Sequence, residues 1–139
     1  MTKTNIAIVT ECRDGASIPI ALLANALVLQ GTFAVINADG YAIASTDVGG
    51  ANQTCLGIWD HSAENTGADG EIIATANCNK QFLVRNSNTD PVNQTDLGNQ
   101  VYIEDNQTVA KTDGTGTRSL AGRFMGFDTQ YNDCVWVEI

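Results

Sequence analysis

The chain has 139 residues and a formal net charge of −9, and this length suits one domain with a sizeable core. Its seven basic residues are spread singly, whereas binding to a phosphate backbone needs clustered Lys and Arg. The acidic balance also disfavours an anionic membrane surface, and no apolar run reaches the ~18 residues of a spanning helix. We therefore predict neither a nucleic-acid partner nor a membrane partner.

Residues 1–30 are predicted to form an N-terminal arm that is irregular or contains one short helix. An apolar cluster at 6–9 comes first and is followed by a turn at 11–15. The arm could form a first strand or lie on a partner. Because no apolar signal-peptide core follows the first residues, the sequence favours synthesis in a cytoplasm.

The apolar stretch at 18–31 is the one place where helix competes with strand. Pro19 suits a first helical turn and Gly31 suits a helix C-cap. The stretch is too uniformly apolar for its periodicity to decide between the two. We predict a short helix or an irregular start that becomes a strand near Leu27.

Residues 31–139 are predicted to form a β domain. Apolar stretches rich in β-branched and aromatic residues recur at a spacing of roughly ten residues, with turn residues between them. This pattern predicts a mainly β fold, either a small antiparallel β-barrel or a β-sandwich. The predicted strands are 33–36, 41–44, 55–60, 71–76, 81–86, 101–103, 108–110, 119–128 and 134–139.

Two of these stretches resemble each other. Residues 55–60 and 120–128 are both glycine-containing strands that end in an aspartate, and each is followed by a loop and a closing strand. One repeated pair is too little for a solenoid. It predicts two similar hairpins in one barrel.

Residues with catalytic, metal-binding or cofactor-binding chemistry are not evident, and we predict a non-enzymatic protein without a cofactor. His61 is the only histidine and stands near Asp60 and Glu64, but no second histidine or cysteine completes a ligand set. A pocket that held His61 with two carboxylates would instead indicate an enzyme. Three further aspartates lack the spacing of a calcium loop and read as turn residues. They are Asp105, Asp113 and Asp128.

The cysteines and tryptophans favour structural roles. Cys12, Cys55, Cys78 and Cys134 are far apart and form no C-x-x-C pair, so we predict free, buried thiols rather than a disulfide framework. The two tryptophans stand in predicted strands, where they more often pack a core or an interface than stack on sugars.

A family resemblance rests on the order and spacing of several segments. DLGNQVYIEDNQTV at 96–109, RSLAGRFMGFD at 118–128 and VWVEI at 135–139 resemble the C-terminal half of small structural proteins of tailed phages, the capsid decoration, cement or head-stabilising proteins. The middle of the chain resembles them in DGYA, LGI and ENTGADG, which begin at residues 39, 56 and 64. The likeness covers residues 31–139 and is weak over the first thirty.

The resemblance implies a non-enzymatic virion protein that is made in the host bacterial cytoplasm and binds the outer surface of the phage head. Its partner would be the major capsid protein, with self-association as a dimer or trimer. The family brings no catalytic residues. For docking, the sequence offers the loops 46–54 and 87–96 and four residues of the arm, Ile6, Ile8, Val9 and Arg13.

Two other functions explain the same composition. One is a phage tail or fibre component, and the other is a carbohydrate-binding β module. Either would expose Trp59, Tyr41 or Tyr131 for stacking.

Overall fold

The computed structural model describes residues 5–7, 9–11 and 15–139, and this part of the chain is mainly β. Two short 3-10 turns, Ser45–Asp47 and Gln94–Asp96, lie between strands. No helix among the described residues has the length and apolarity needed to cross a membrane. The strands are β1 Ser17–Ala21, β2 Leu27–Val28, β3 Phe33–Ile36, β4 Thr54–Trp59, β5 Ala63–Glu64, β6 Ile73–Asn77, β7 Gln81–Asn86, β8 Gln100–Ile103, β9 Thr108–Ala110, β10 Leu120–Phe127 and β11 Cys134–Glu138.

Five strands of the C-terminal half close into a barrel in the order β10-β11-β7-β9-β8. The first half of β10 pairs with β8 and its second half pairs with β11, so this one strand joins two neighbours. The β7–β9 pair is parallel, with Arg85 opposite Thr108, and the other pairs are antiparallel. The prediction of a mainly β fold with a small barrel is confirmed.

The N-terminal half forms a four-stranded sheet in the order β1-β6-β4-β3. Ala42 bridges Leu22, next to β1, and Ile36, in β3. One residue therefore joins the two outer edges of this sheet. The predicted strand at 41–44 is reduced to this bridge, although the turn before it forms as expected, with Gly40 N donating to Asn37 O at 3.1 Å. A separate ribbon pairs β2 with β5.

The short helix predicted within residues 18–31 is wrong, because β1 occupies its first part, whereas the predicted strand near Leu27 is confirmed by β2. β1 pairs with β6 through residues such as Ile20, which lies opposite Ala74. Gly31 has a φ of +83° and ends no helix. β1 and β2 lie within residues 1–30 and pair with strands beyond residue 31, so much of the predicted arm belongs to the sheets.

Glycines allow the strands to approach closely in both halves. A Cβ on Gly57 of β4 would overlap the carbonyl oxygen of Asn77, and one on Gly122 of β10 would overlap that of Glu138. The shared glycine of residues 55–60 and 120–128 thus has the same role in both segments, which is to let a neighbouring strand approach closely. The prediction that both hairpins lie in one barrel is wrong, because β4 pairs with β3 and β6 in the separate sheet.

The described residues form two apolar cores. One fills the barrel with mostly branched and aromatic side chains, and Phe33, Val35 and Ile43 from the N-terminal half join it. The other lies in the four-stranded sheet and collects Trp59 with smaller residues, among them five alanines. These three residues of the N-terminal half pack the sheet against the barrel.

Candidate functional site

The predicted docking residues of the arm are only partly described. Ile6 is 73% exposed and Val9 is 94% exposed. Ile8 and Arg13 lie outside the described residues. Large apolar side chains in solvent suit a surface that a partner covers.

The part of the predicted arm that precedes β1, residues 1–16, joins the folded body at the turn between β6 and β7. Gly15 O accepts a hydrogen bond from Asn79 Nδ2 at 2.7 Å, and Ala16 O accepts one from Cys78 N at 3.0 Å. These bonds fix the place where the arm begins. The arm therefore starts beside β1, at the edge of the four-stranded sheet.

The loop at 46–54 is held against the barrel by side-chain hydrogen bonds. Ser119 Oγ donates to Gly50 O at 2.8 Å and accepts from Gln53 N at 3.0 Å. Gln53 Oε1 accepts from Gly49 N at 3.1 Å and from Gly50 N at 3.2 Å. The loop thus has a defined shape, while Ala51 and Asn52 at its tip are exposed.

The loop at 87–96 is fixed by Arg118. Its Nη1 donates to Asp90 Oδ2 at 2.9 Å and to Thr112 O at 3.1 Å, and its Nη2 lies 3.4 Å from Glu104 Oε1. Glu104 Oε1 also accepts from Ser87 Oγ at 2.7 Å. One arginine therefore ties this loop to the segment around residue 112 and to the end of β8.

The hydrogen bonds of this network shift the pKa of Asp90. The Thr112 hydroxyl donates to Asp90 Oδ2 at 2.6 Å, and this bond, with smaller contributions from Thr112 N and Arg118, lowers the pKa of Asp90. A carboxylate held by several donors favours its charged form. The network is a structural brace, and it keeps the loop at 87–96 in one conformation.

His61 pairs with the carboxylate of its neighbour Asp60. Its Nδ1 contacts Asp60 Oδ1, and Asp60 also accepts from the Thr75 hydroxyl at 2.8 Å. The His61 hydrogen bond is the largest cause of a lowered pKa for Asp60. Among the residues that the structure describes, no group of three His, Cys, Asp or Glu side chains could hold a metal ion.

The described cysteines are free, as predicted, but only partly buried. Cys55, Cys78 and Cys134 have intermediate exposure, and Cys12 lies outside the described residues. Burial raises the pKa of Cys55 to about 12, so its thiol stays protonated and unreactive at neutral pH. Burial also raises the pKa of Cys134, with a smaller contribution from the neighbouring Asp133 carboxylate.

The aromatic side chains proposed for stacking divide into two groups. Trp59 is 1% exposed in the sheet core, and its Nε1 has no hydrogen-bond partner among the described residues. It therefore cannot stack on a sugar. Tyr131 is 52% exposed, and Tyr41 is half-buried.

A polar cleft of about 560 Å³ at one end of the barrel was not predicted from the sequence. Its lining comes from the end of β7, from the loop that follows, and from the turns after β8 and β10. These residues are up to 48 positions apart, so no local spacing announces them. The lining includes Arg85, Asn88, Glu104, Asp105, Gln107 and Asp133.

Comparison with family models, with curated proteins and with solved structures finds no significant match to this chain.

Proposed function

We propose that this chain is a non-enzymatic structural protein of a tailed phage, a decoration protein that binds the outer surface of the head. The observation that carries the proposal is an apolar arm, exposed at Ile6 and Val9, on a body whose apolar residues fill two cores of its own. Such a body needs no partner to bury its core, and exposed apolar side chains outside that core suit a docking surface. The family resemblance over residues 31–139 points to the same function.

In this proposal the arm lies in a groove of the major capsid protein and the folded body bridges neighbouring capsomers. The braced loops at 46–54 and 87–96 add contacts that cost little ordering entropy, because they are already held in one shape. Many modest contacts repeated over a symmetric shell give a high total affinity. Together they stabilise the head against the pressure of packaged DNA.

The charge of the chain fits the outer surface of the virion. A net charge of −9 is repelled by packaged DNA and by any surface of the same sign. We place the protein outside the shell, after synthesis in the host bacterial cytoplasm. No nucleic acid or membrane takes part in this binding.

Self-association as a dimer or trimer is part of the proposal, and the edge of β1 constrains it. Ala21 O accepts from Ala42 N, whereas Leu22 N donates to Ile72 O, just before β6, so the backbone N–H and C=O groups of the odd-numbered residues of β1 face away from β6. Pro19 therefore stands at the open edge and has no N–H to donate. Such a proline opposes strand addition, and we expect copies to associate through side-chain contacts.

Co-sedimentation with undecorated heads of the source phage tests the proposal. The full chain should saturate the heads at a fixed number of copies per capsomer. The variant Ile6→Asp with Val9→Asp should bind at least about tenfold more weakly, because two exposed apolar anchors become charged.

The matched control is Leu27→Asp with Leu97→Asp, which changes two leucines that are 45% and 50% exposed on the folded body. It should keep the affinity of the native chain. Absence of saturable binding by the native chain would refute the head assignment. Equal losses in both double variants would refute the arm as the docking element.

The alternative function is a phage tail or fibre component or a carbohydrate-binding β module. Burial of Trp59 removes one of its three stacking candidates and leaves Tyr41 and Tyr131. A stable trimer that binds glycans and ignores heads would favour this alternative.

A further inference from the structure

The polar cleft lies where three connections meet at one end of the barrel. Residues 87–90 follow β7, residues 104–107 join β8 to β9, and residues 128–133 join β10 to β11. Asn86 N donates to Asp133 O at 2.8 Å, and Arg85 N donates to Gln107 O at 2.9 Å. These backbone bonds hold the walls of the cleft together, and the mouth of a barrel is a common place for a ligand.

Several polar groups of the cleft are available to a ligand. Among the described residues, the side-chain amides of Asn88 and Gln107 and the Oε2 atom of Glu104 make no hydrogen bond. Arg85 Nη1 lies 3.7 Å from Asp133 Oδ2, beyond ordinary hydrogen-bond distance. Two of these residues, Asn88 and Gln107, offer both donors and acceptors.

One wall of the cleft is rigid. Glu104 Oε1 is occupied by Ser87, by Thr89 and by Arg118. The bonds on this oxygen orient the carboxylate, so that Oε2 keeps a fixed direction. A preorganised acceptor costs less entropy when it binds a hydroxyl than a mobile one does.

The lining selects the class of ligand. Carboxylates on Glu104, Asp105 and Asp133 outnumber the one cation, Arg85, which disfavours an anion. The described residues contain no group that could hold a metal ion, and the cleft has no large apolar side chain for a hydrophobic ligand. A neutral molecule with many hydroxyl groups satisfies amides, carboxylates and a guanidinium together.

We infer that this cleft binds a neutral saccharide, with Asn88, Gln107, Glu104 and Arg85 contacting its hydroxyl groups. Its volume of about 560 Å³ lies within the ~300–1,000 Å³ typical of ligand sites. Because little apolar surface is buried, the affinity of one site is weak and of millimolar order. The inference is independent of docking to a phage head, although many copies on one particle would raise the overall affinity.

Saturation-transfer NMR on the full chain tests the inference with five free sugars, glucose, galactose, mannose, rhamnose and N-acetylglucosamine, each at millimolar concentration. At least one should receive saturation from the native protein. The variant Asn88→Ala with Gln107→Ala should raise its Kd by about tenfold or more, because two residues that bind hydroxyl groups are removed. Both residues are exposed, so the fold should be unaffected.

The control variant is Gln94→Ala with Asn99→Ala, which removes two exposed amides outside the cleft and should leave the Kd unchanged. Failure of all five sugars to receive saturation overturns the inference. Equal binding by the cleft variant and the native chain also overturns it. The arm variant Ile6→Asp with Val9→Asp lies outside the cleft, so it should keep the native Kd for the sugar while it loses binding to heads, which separates this outcome from that of the proposed function.

Discussion

The barrel and the four-stranded sheet each bury an apolar core, but the two cores consist of different side chains. The barrel core has thirteen buried members, of which one is alanine, whereas the sheet core has nine, of which five are alanines. A complete ring of strand pairs closes the barrel, while the single bridged residue Ala42 joins the edges of the sheet. Branched side chains share the filling of the barrel, whereas the sheet core is built around Trp59, the largest of the fully buried side chains.

This difference predicts that the sheet depends more on one residue than the barrel does. Alanine has no side-chain rotamers and cannot move into a neighbouring cavity. Valine, isoleucine and phenylalanine can shift partly into a space left beside them. Two aromatic truncations, one in each core, therefore test the comparison directly.

The largest expected effect is that of Trp59→Ala. We expect a loss of about 5 kcal/mol in the free energy of unfolding, at the upper end of the range for such truncations. Phe124→Ala in the barrel should cost about 3 kcal/mol, because larger neighbours can partly fill its cavity. Urea unfolding followed by circular dichroism measures both values.

Trp59→Phe is the control for this pair of variants. It keeps an aromatic ring and removes an Nε1 that has no hydrogen-bond partner among the described residues, so it should cost much less than Trp59→Ala. If Phe124→Ala costs as much as Trp59→Ala, the alanine-rich core relaxes as well as the barrel does, and the comparison fails.

The second effect concerns the two glycines at close strand approaches. Gly57→Ala and Gly122→Ala should each cost about 2–3 kcal/mol, because a Cβ would overlap a carbonyl oxygen of the neighbouring strand. Gly57 should lose more, since its φ of +156° is also unfavourable for alanine. Thermal unfolding of the two variants gives the order.

Gly126→Ala is the matched control in β10. Its φ of +129° strains an alanine, but a Cβ there meets no atom within 4 Å. It should therefore cost only about 1 kcal/mol. A cost for Gly122→Ala no larger than that for Gly126→Ala would show that a small movement of the neighbouring strand relieves the overlap at Gly122, and would refute close strand approach as the reason for this glycine.

The third effect compares the polar braces of the two regions. Asn65 is fully buried, and its side chain donates to Leu22 O and Ala68 O and accepts from Gly67 N. Both carbonyls keep a second, backbone donor, so Asn65→Ala should cost only about 2 kcal/mol. Arg118→Ala should cost about 1 kcal/mol or less, because its carboxylate partners can regain water.

Salt separates these two braces. Screening weakens ion pairs that reach solvent but leaves buried neutral hydrogen bonds unchanged. Urea unfolding at low and at 1 M salt should therefore show a smaller cost of Arg118→Ala at high salt and the same cost of Asn65→Ala. A salt-dependent cost for Asn65→Ala would contradict the conclusion that Asn65 acts through buried, neutral hydrogen bonds.

The strands that local chemistry specifies could be predicted from the sequence, and those that distant pairing specifies could not. β3, β7 and β9 have the predicted bounds, because β-branched and aromatic residues between turn residues leave little choice. For residues 18–31 the sequence predicts a short helix or an irregular start that becomes a strand near Leu27, because a uniformly apolar run fits either state. Ile20 is a strand residue because it lies opposite Ala74, 54 positions later.

The same reasoning explains why the polar cleft was not predicted. Gln107 and Asp133 look like ordinary turn residues in their own segments. They become neighbours of Arg85 only through the parallel β7–β9 pair and the β7–β11 pair. Barrel closure creates the cleft, and barrel closure is not encoded in any single segment.

The smallest expected effect is the pH dependence of the two regions. The pKa of Asp60 in the sheet and that of Asp90 beside the barrel are both lowered in the folded protein, chiefly by hydrogen bonds from His61 and from Thr112 respectively. A lowered folded-state pKa stabilises the protein above the unfolded value of ~3.9 and loses this effect as the pH falls through the folded value. The unfolding temperature should thus decrease below about pH 4.

Variants separate the contributions of Asp60 and Asp90 to this decrease from each other and from that of Asp128, whose pKa is also lowered, chiefly by hydrogen bonds from the backbone of Tyr131 and Gln130. Thr112→Val removes the largest cause of the shift at Asp90 and should flatten its part of the pH profile, leaving the Asp60 part intact. Asp60→Asn should do the reverse, because the amide does not titrate. Since the two carboxylates belong to different halves and share no partner in the described residues, their effects should add. Non-additive pH profiles would show that the sheet and the barrel unfold with coupled electrostatics.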